Sequence, residues 1–421
     1  MKKSLIILVT LLICSCQKQK AIKNVNVTIK EIDTAYIHSK LAYFTIDNYK
    51  IEGEGKNILQ EMIDESQFIV FGESHYSKQT SILTKALIPL LSKANFSNFL
   101  AEVGPNSAQK LIELSSPFSK TEENMNAFMK KYKHKELGET ADPIPFFAGI
   151  EDASFLKTIR EYKMNLWGID QEYMYSILFF TDELLKEAAH KENYKEIHEL
   201  KEKVDEIIFK YLKEDEERKI ESALALIEKE KSVIDFFNQF DKNDVKAITI
   251  INDLKFSWDI YLRWRKGSHA DRISYMRNNL LKIYNKNKNA KMFVKIGSLH
   301  ASEIISNSAF DIGNLTEELA KGNSTISSSI NSWRPFYVED GKQIDNLKKY
   351  SNYYQKYNLF TVFAKENKWI IINLKSIRED IKSNKIKLPN DGTYHGLRKI
   401  IDGYDYQLIL PEDESITYNL K

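Results

Sequence analysis

From about residue 58 onward, hydrophobic positions fall into two alternating patterns. Short apolar runs closed by glycine or an acidic residue predict buried strands. They occur at 67–71, ended by Gly72; at 98–101, ended at Glu102 and Gly104; at 165–169, ended by Asp170; and at 291–296, ended at Gly297. Between them, apolar residues recur every three or four positions, as at Ile82, Leu83, Ala86, Leu87, Leu90 and Leu91 within 77–94. That spacing predicts helices, and another should start at Pro105, whose ring suits a first helical turn. Strands alternating with helices imply right-handed crossovers and a parallel sheet covered on both faces. The expected fold class is α/β, with a mostly parallel sheet and helices on both faces.

About 120 residues separate the third and fourth strands, nearly free of glycine and proline and rich in Glu, Lys, Leu and Ile at helical spacing. They predict long helices forming a cap inserted over 171–267, with most of their charges on solvated faces. The α/β domain then has two parts, 51–170 and 268–421. Strand-like runs recur at 359–364, 369–373 and 406–410, while the polar stretch 16–50, with scattered aromatics, is expected to be a tether and docking segment.

Hydrophobic residues make up 43% of the 421 positions and charged residues 29%, which excludes wholesale disorder and a multispan membrane protein. The N-terminus changes the picture. Lys2 and Lys3, an apolar run over 5–13 and small residues after it form a secretory signal, 1–15. The run is shorter than the roughly 20 residues a membrane-spanning helix needs. Ile13-Cys14-Ser15-Cys16 resembles a bacterial lipoprotein box, with cleavage before Cys16 and acylation of its thiol and new amine. An ordinary signal peptide with incidental cysteines is the alternative. The expected location is the bacterial cell envelope, lipid-anchored in the periplasm or at the outer membrane, with the membrane a partner through that anchor. Loss of Lys2 and Lys3 brings 61 Lys and Arg down to 59, equal to Asp and Glu, so no basic field invites nucleic acid.

Cys14 and Cys16 are the only cysteines. Disulfides, a cysteine zinc site and a cysteine nucleophile are therefore excluded from the body of the protein, and any catalysis falls to His, carboxylates, hydroxyls, Lys or Arg. Ligands of open parallel sheets bind outside the carboxyl ends of the strands. There the chain places Glu73 and His75 in Gly72-Glu73-Ser74-His75, then Glu102, then Asp170, then His300 in Gly297-Ser298-Leu299-His300. A single histidine or carboxylate at a strand end is ordinary loop chemistry. Four strand ends that each supply an ionisable group, two of them as Gly-x-x-His, suit activation of water directly or through a metal. His38, His134, His190, His198 and His395 have no such pattern, and His269 is a lesser candidate beside Arg272.

The order of these motifs resembles the erythromycin esterase family over roughly residues 58–412. Phe71-Gly72-Glu73-Ser74-His75 followed by a helix and Leu100-Ala101-Glu102 is similar to its opening, and Trp167-Gly168-Ile169-Asp170 to its Gly-hydrophobic-Asp strand end. Arg272, Met276 and Asn279 match its Arg-x-x-x-Met-x-x-Asn helix, and the run 401–410 its last strand. The resemblance implies metal-independent hydrolysis of a small-molecule ester or lactone. His75 would be the general base, Glu73 and Glu102 would orient it or the water, Arg272 would stabilise the oxyanion, and His300 would bind substrate or act as acid. Asp170, Tyr76 and Asn279 would contact substrate.

Two departures stand out. The family spaces its first motif Gly-Glu-x-x-His, one residue longer than here, and opens its later motif, His-Asn-x-His, with a histidine where this chain has Gly297. Paired Gly-x-x-His motifs resemble instead the related ChaN-like haem-uptake and Tiki/TraB-like proteins. Three alternatives therefore stay open beside a cofactor-free hydrolase: a hydrolase with a divalent transition metal on His75, His300 and Glu102; a haem- or metal-binding lipoprotein of iron uptake, with Tyr76 or His300 as axial ligand; and an envelope binding protein that reuses the crevice.

Overall fold

The computed structural model describes residues 29–306, 309–390 and 394–420; the expected signal peptide and Cys16 lie outside them. Nine strands form one sheet: β1 (Leu41–Asp47), β2 (Lys50–Glu52), β3 (Ser66–Glu73), β4 (Phe96–Ala101), β5 (Asn165–Gly168), β6 (Lys291–Gly297), β7 (Ile326–Trp333), β8 (Trp369–Asn373) and β9 (Tyr406–Ile409). Their order is β2-β1-β8-β9-β7-β3-β6-β4-β5. From β9 to β5 all neighbours run parallel, and β8, β1 and β2 extend one edge by antiparallel pairing.

Strand alternation divides the interior into two cores. Ile69 and Phe71 of β3 pack with Leu83, Leu87 and Leu91 of helix Lys78–Lys93 and with Phe155 and Ile159 of helix Ile150–Glu161. Phe68 and Val70 face the other way, onto Met276 and Leu280 of helix His269–Tyr284 and Ile312 and Leu315 of helix Ile312–Asn323. Every residue of β3 is buried, as expected of a parallel strand covered on both faces. The architecture is thus α/β with a mostly parallel sheet and helices on both faces.

Between β5 and β6 the cap comprises helices Ile177–Glu187, Tyr194–Glu216, Ala223–Ile227, Lys231–Phe237 and Val245–Leu262. Tyr194–Glu216 buries a single stripe, Ile197, Val204, Ile208 and Leu212, and leaves its charges outside, the pattern of a helix packed on one side only. Among the described residues no helix is long and apolar enough to cross a membrane.

The structure differs from the expectations at three places. From Leu41 the supposed tether is part of the sheet: β1 and β2 form its edge hairpin, and Phe44 is buried and stacked on Trp369 at 5.6 Å. Only Ala42 and Phe44 of β1 are fully buried, an alternation too short to stand out from loop. The run 359–364 is not a strand, since helix Asn358–Thr361 lies there; a short apolar run reads the same in either conformation. Finally β7, beside β3 near the middle of the sheet, gave no apolar signal because Ser327, Ser328, Ser329, Asn331 and Ser332 fill it.

Candidate active site

In the sheet order β3-β6-β4-β5 the four strand ends singled out by sequence are neighbours. Glu73 is the last residue of β3, and its buried carboxylate is held from two sides. Lys295 Nζ of β6 donates to Oε2, and His75 Nδ1 stands 3.3 Å from Oε1. Burial alone would raise the Glu73 pKa, but the Lys295 ammonium and the His75 ring outweigh it and leave the carboxyl below its usual range. Lys295 was not anticipated from sequence, although a lysine inside an otherwise apolar strand was a visible signal.

His75 is the accessible member of the cluster. Its side chain is 37% exposed, against 4% for Glu73 and 3% for Glu102. Nε2 lies 3.8 Å from Glu102 Oε2, the oxygen that also accepts the Gly297 amide at 2.6 Å. Desolvation would lower the His75 pKa, but Glu102 and Glu73 together raise it. A Cβ on Gly297 would sit 2.8 Å from His75 Nε2. The shortened first motif and the glycine opening the second are thus one feature: the His75 ring stands where a side chain at 297 would have to be. Gly72 is needed for a similar reason, since its Cβ would fall 2.5 Å from Ile330 O of β7 and 2.8 Å from Ser298 Cα.

Arg272 crosses from helix His269–Tyr284. Its Nε donates to Asp170 Oδ1 at 2.9 Å and Nη2 to Asp170 Oδ2 at 2.5 Å, a bidentate pair, while Nη2 also reaches Glu102 Oε1 at 2.8 Å. Nη1 bonds no carboxylate and lies 3.4 Å from His300 Nε2. His300 is buried, with Nδ1 2.6 Å from Asp311 Oδ2 and Nε2 3.6 Å from Glu102 Oε1. Burial works against its charge, but Asp311 and Glu102 raise its pKa. Asp311 was also missed; its other oxygen accepts the Ile312 amide at 2.8 Å, so it reads in sequence as a helix cap. Glu102, drawn on by His75, His300 and Arg272 against its own desolvation, stays ionised far below the usual carboxylate range.

Above this cluster a cavity of about 1120 Å³ opens beneath the cap. Asp170 and Arg272 are its polar floor; Tyr76, Phe146, Tyr173, Tyr261 and Trp264 give it aromatic walls, and Met174, Leu224, Leu226 and Leu262 aliphatic ones. Tyr76 and Asp170, expected at substrate, are on this surface. Asn279 is not: it is buried and donates to Ile169 O at 3.1 Å, tying its helix to the end of β5. His269 lies with its ring centroid 6.1 Å from that of His300 and edge-on to Trp264.

Among the described residues no group of three His, Cys, Asp or Glu side chains is arranged to hold a metal ion. The set His75, His300 and Glu102 does not fit one. The two histidines approach different oxygens of Glu102, each oxygen already accepts a hydrogen bond, and the Arg272 guanidinium places a fixed positive charge against the carboxylate and His300. Nor is His300 presented as an axial ligand, since Asp311 holds one ring nitrogen and the other faces Arg272 and Glu102.

No family model matches the chain, and no curated protein matches its sequence with significance. Solved structures do match. A mutant of the erythromycin esterase EreC in its open conformation aligns over 90% of this chain and 99% of its own, with 12% identity and a TM-score of 0.50. A succinoglycan biosynthesis protein aligns over 92% and 98%, with 13% identity and a TM-score of 0.51. The chain has the erythromycin esterase fold. ChaN of Campylobacter jejuni, with cofacially bound haem, matches at a TM-score of 0.33, too distant to bear on the site. At these identities the likeness concerns the fold, and the chemistry rests on the geometry above.

Proposed function

We propose that the protein is a hydrolase that adds water to the carbonyl of an ester or lactone, with His75 as general base. One observation carries this reading: among the paired ionisable groups at the strand ends, His75 is the most exposed and keeps a ring nitrogen with no hydrogen bond, and its neighbour Tyr76 lines the cavity that Arg272 also lines. With Nδ1–H donating to Glu73, Nε2 keeps its lone pair. The 3.8 Å separation of Nε2 and Glu102 Oε2 would let one water donate to both.

As that water attacks the carbonyl, its proton passes to His75 Nε2 and the new imidazolium is balanced by Glu73, itself held ionised by Lys295. The carbonyl oxygen becomes an oxyanion facing Arg272 Nη1, the nitrogen free of carboxylates, while Asp170 and Glu102 fix the guanidinium plane. Collapse breaks the bond to the leaving oxygen, which takes the proton back from His75. An ester yields acid and alcohol, and a lactone one hydroxy acid. His300, clamped by Asp311, supports Arg272 and Glu102 from behind. Acylated Cys16 would hold this site at the cell envelope; Cys16→Ala should move the protein from the membrane fraction to the soluble one.

The test is a panel of esters and lactones assayed with the wild type and a folded His75→Ala variant. Turnover that falls by about 10²–10⁴ in the variant is expected. Equal turnover by both would remove His75 from the mechanism.

A further inference from the structure

Two aromatic residues beside His75 hold a backbone conformation uncommon for bulky side chains. Tyr76 has φ +57° and Phe146 φ +63°, both left-handed, a state kept where surrounding structure over-determines it and concentrated at functional sites. The loop 142–149 that carries Phe146 is tied down along its length. Lys133 Nζ pairs with Asp142 at 2.8 Å, Pro143 O accepts from Ser176 Oγ at 2.8 Å, Ala148 O accepts from the Asn419 amide at 3.0 Å, and the Gly149 amide donates to Asp152 at 2.8 Å.

This anchoring lays the Phe146 ring flat on the imidazole of His75, with centroids 4.0 Å apart and planes 10° from parallel, while Tyr76 meets Phe146 edge-on at 5.9 Å. Tyr76 and Phe146 also border two separate spaces. One is the large cavity; the other is a small recess of about 10 Å³, room for about one water, lined by Glu73, Lys295, Asp152 and Ser81. The aromatic pair therefore stands between the large cavity and the recess beside the Glu73–Lys295 pair.

We propose that Phe146 is a positioning residue for His75: its ring sets the imidazole plane, its π face stabilises the imidazolium form, and with Tyr76 it shuts solvent away from Glu73 and Lys295. A cation over an aromatic face is attracted by the ring quadrupole, and more strongly where water is excluded. The catalytic consequence rests on the hydrolase reading; the effect on His75 protonation does not. The other groups that set the charge of His75 are Glu73 at the end of β3, Glu102 just after β4 and Lys295 from β6, with Arg272 and His300 acting through Glu102. Changing Phe146 alters none of their identities.

The experiment replaces Phe146 in the full-length protein by 4-fluoro-, 3,5-difluoro- and pentafluorophenylalanine, which keep the ring while draining its π face, and separately by leucine. The His75 pKa is read by NMR of labelled histidine, assigned with His75→Ala. A stepwise fall along the fluorinated series is expected, with Phe146→Leu lowering the value by about half a unit to one unit. Identical titration across the series would overturn the proposal, and because the fluorinated rings retain the packing, that outcome is decisive even if the leucine variant fails to fold. A stepwise fall in a protein that hydrolyses no ester or lactone would sustain the role of Phe146 and sink the hydrolase; a flat series in an active enzyme would do the reverse.

Discussion

His75 and His300 occupy the same sequence pattern, Gly-x-x-His after a buried parallel strand, and the fold gives them opposite situations. His75 has 37% of its side chain exposed and is stacked on Phe146, with one ring nitrogen on Glu73 and the other making no hydrogen bond, 3.8 Å from Glu102. His300 has 9% of its side chain exposed and is held at both nitrogens by Asp311, Arg272 and Glu102. The comparison teaches that the motif delivers a histidine to the crevice, while the neighbouring strands decide whether it can exchange protons with a substrate or only hold other charges in place.

Substitution should separate the two roles. Glu73→Gln removes the partner that fixes the His75 tautomer, and a loss of about 10²-fold or more in kcat is expected with KM little changed, read by steady-state kinetics. Retention of full kcat would mean that His75 needs no orienting carboxylate. His300→Ala leaves Asp311, Glu102 and Arg272 short of a buried partner and should cost about 3–5 kcal/mol of stability by denaturant unfolding. A loss near zero would place His300 with His75 as a group not required by the fold.

Gly297→Ala puts a methyl group against the His75 ring and 3.4 Å from Glu102 Oε2. It should lower kcat by about tenfold or more, since displacement by an ångström can cost 10²-fold, while the melting temperature changes little. The subtlest expectation concerns pH. The folded pKa of His300 lies above its ordinary 6.5. Its charge therefore contributes stability that is fully present below 6.5 and is lost as pH rises through the folded value. The stability gap between wild type and His300→Gln should thus narrow from pH 6 to pH 9, and a gap constant with pH would show that folding leaves the His300 pKa unshifted. For activity the sign reverses: His75 must be neutral to act, so kcat/KM should rise with pH through a midpoint above 6.5.

Much of this contrast could be anticipated from the chain. The four strands ending at Glu73, Glu102, Asp170 and Gly297 were legible because buried parallel strands are unbroken apolar runs, and the cap because its stripes repeat at helical spacing. β7 was not, since its serines are buried by pairing rather than by apolarity. Ser328 Oγ meets Ser66 Oγ at 2.8 Å, Ser329 Oγ donates to Glu303 at 2.9 Å and Ser332 Oγ to Gly72 O at 2.7 Å. Lys295 and Asp311 stayed hidden for a related reason. A lysine in a strand and an aspartate before a helix acquire meaning only from partners that topology delivers, Glu73 from 222 positions away and His300 from the loop after β6. Phe146 had no signature at all, because a stacked ring and a left-handed backbone leave no trace in residue type.

The central claim is that His75 directs water onto the carbonyl with no covalent step on a protein carboxylate. Single-turnover hydrolysis of the best ester in ¹⁸O-labelled water, with enzyme in excess, tests it most directly. One ¹⁸O is expected in the acid formed during the first turnover. An unlabelled first-turnover acid, its new oxygen drawn from a protein carboxylate such as Glu102 or Glu73, would contradict it.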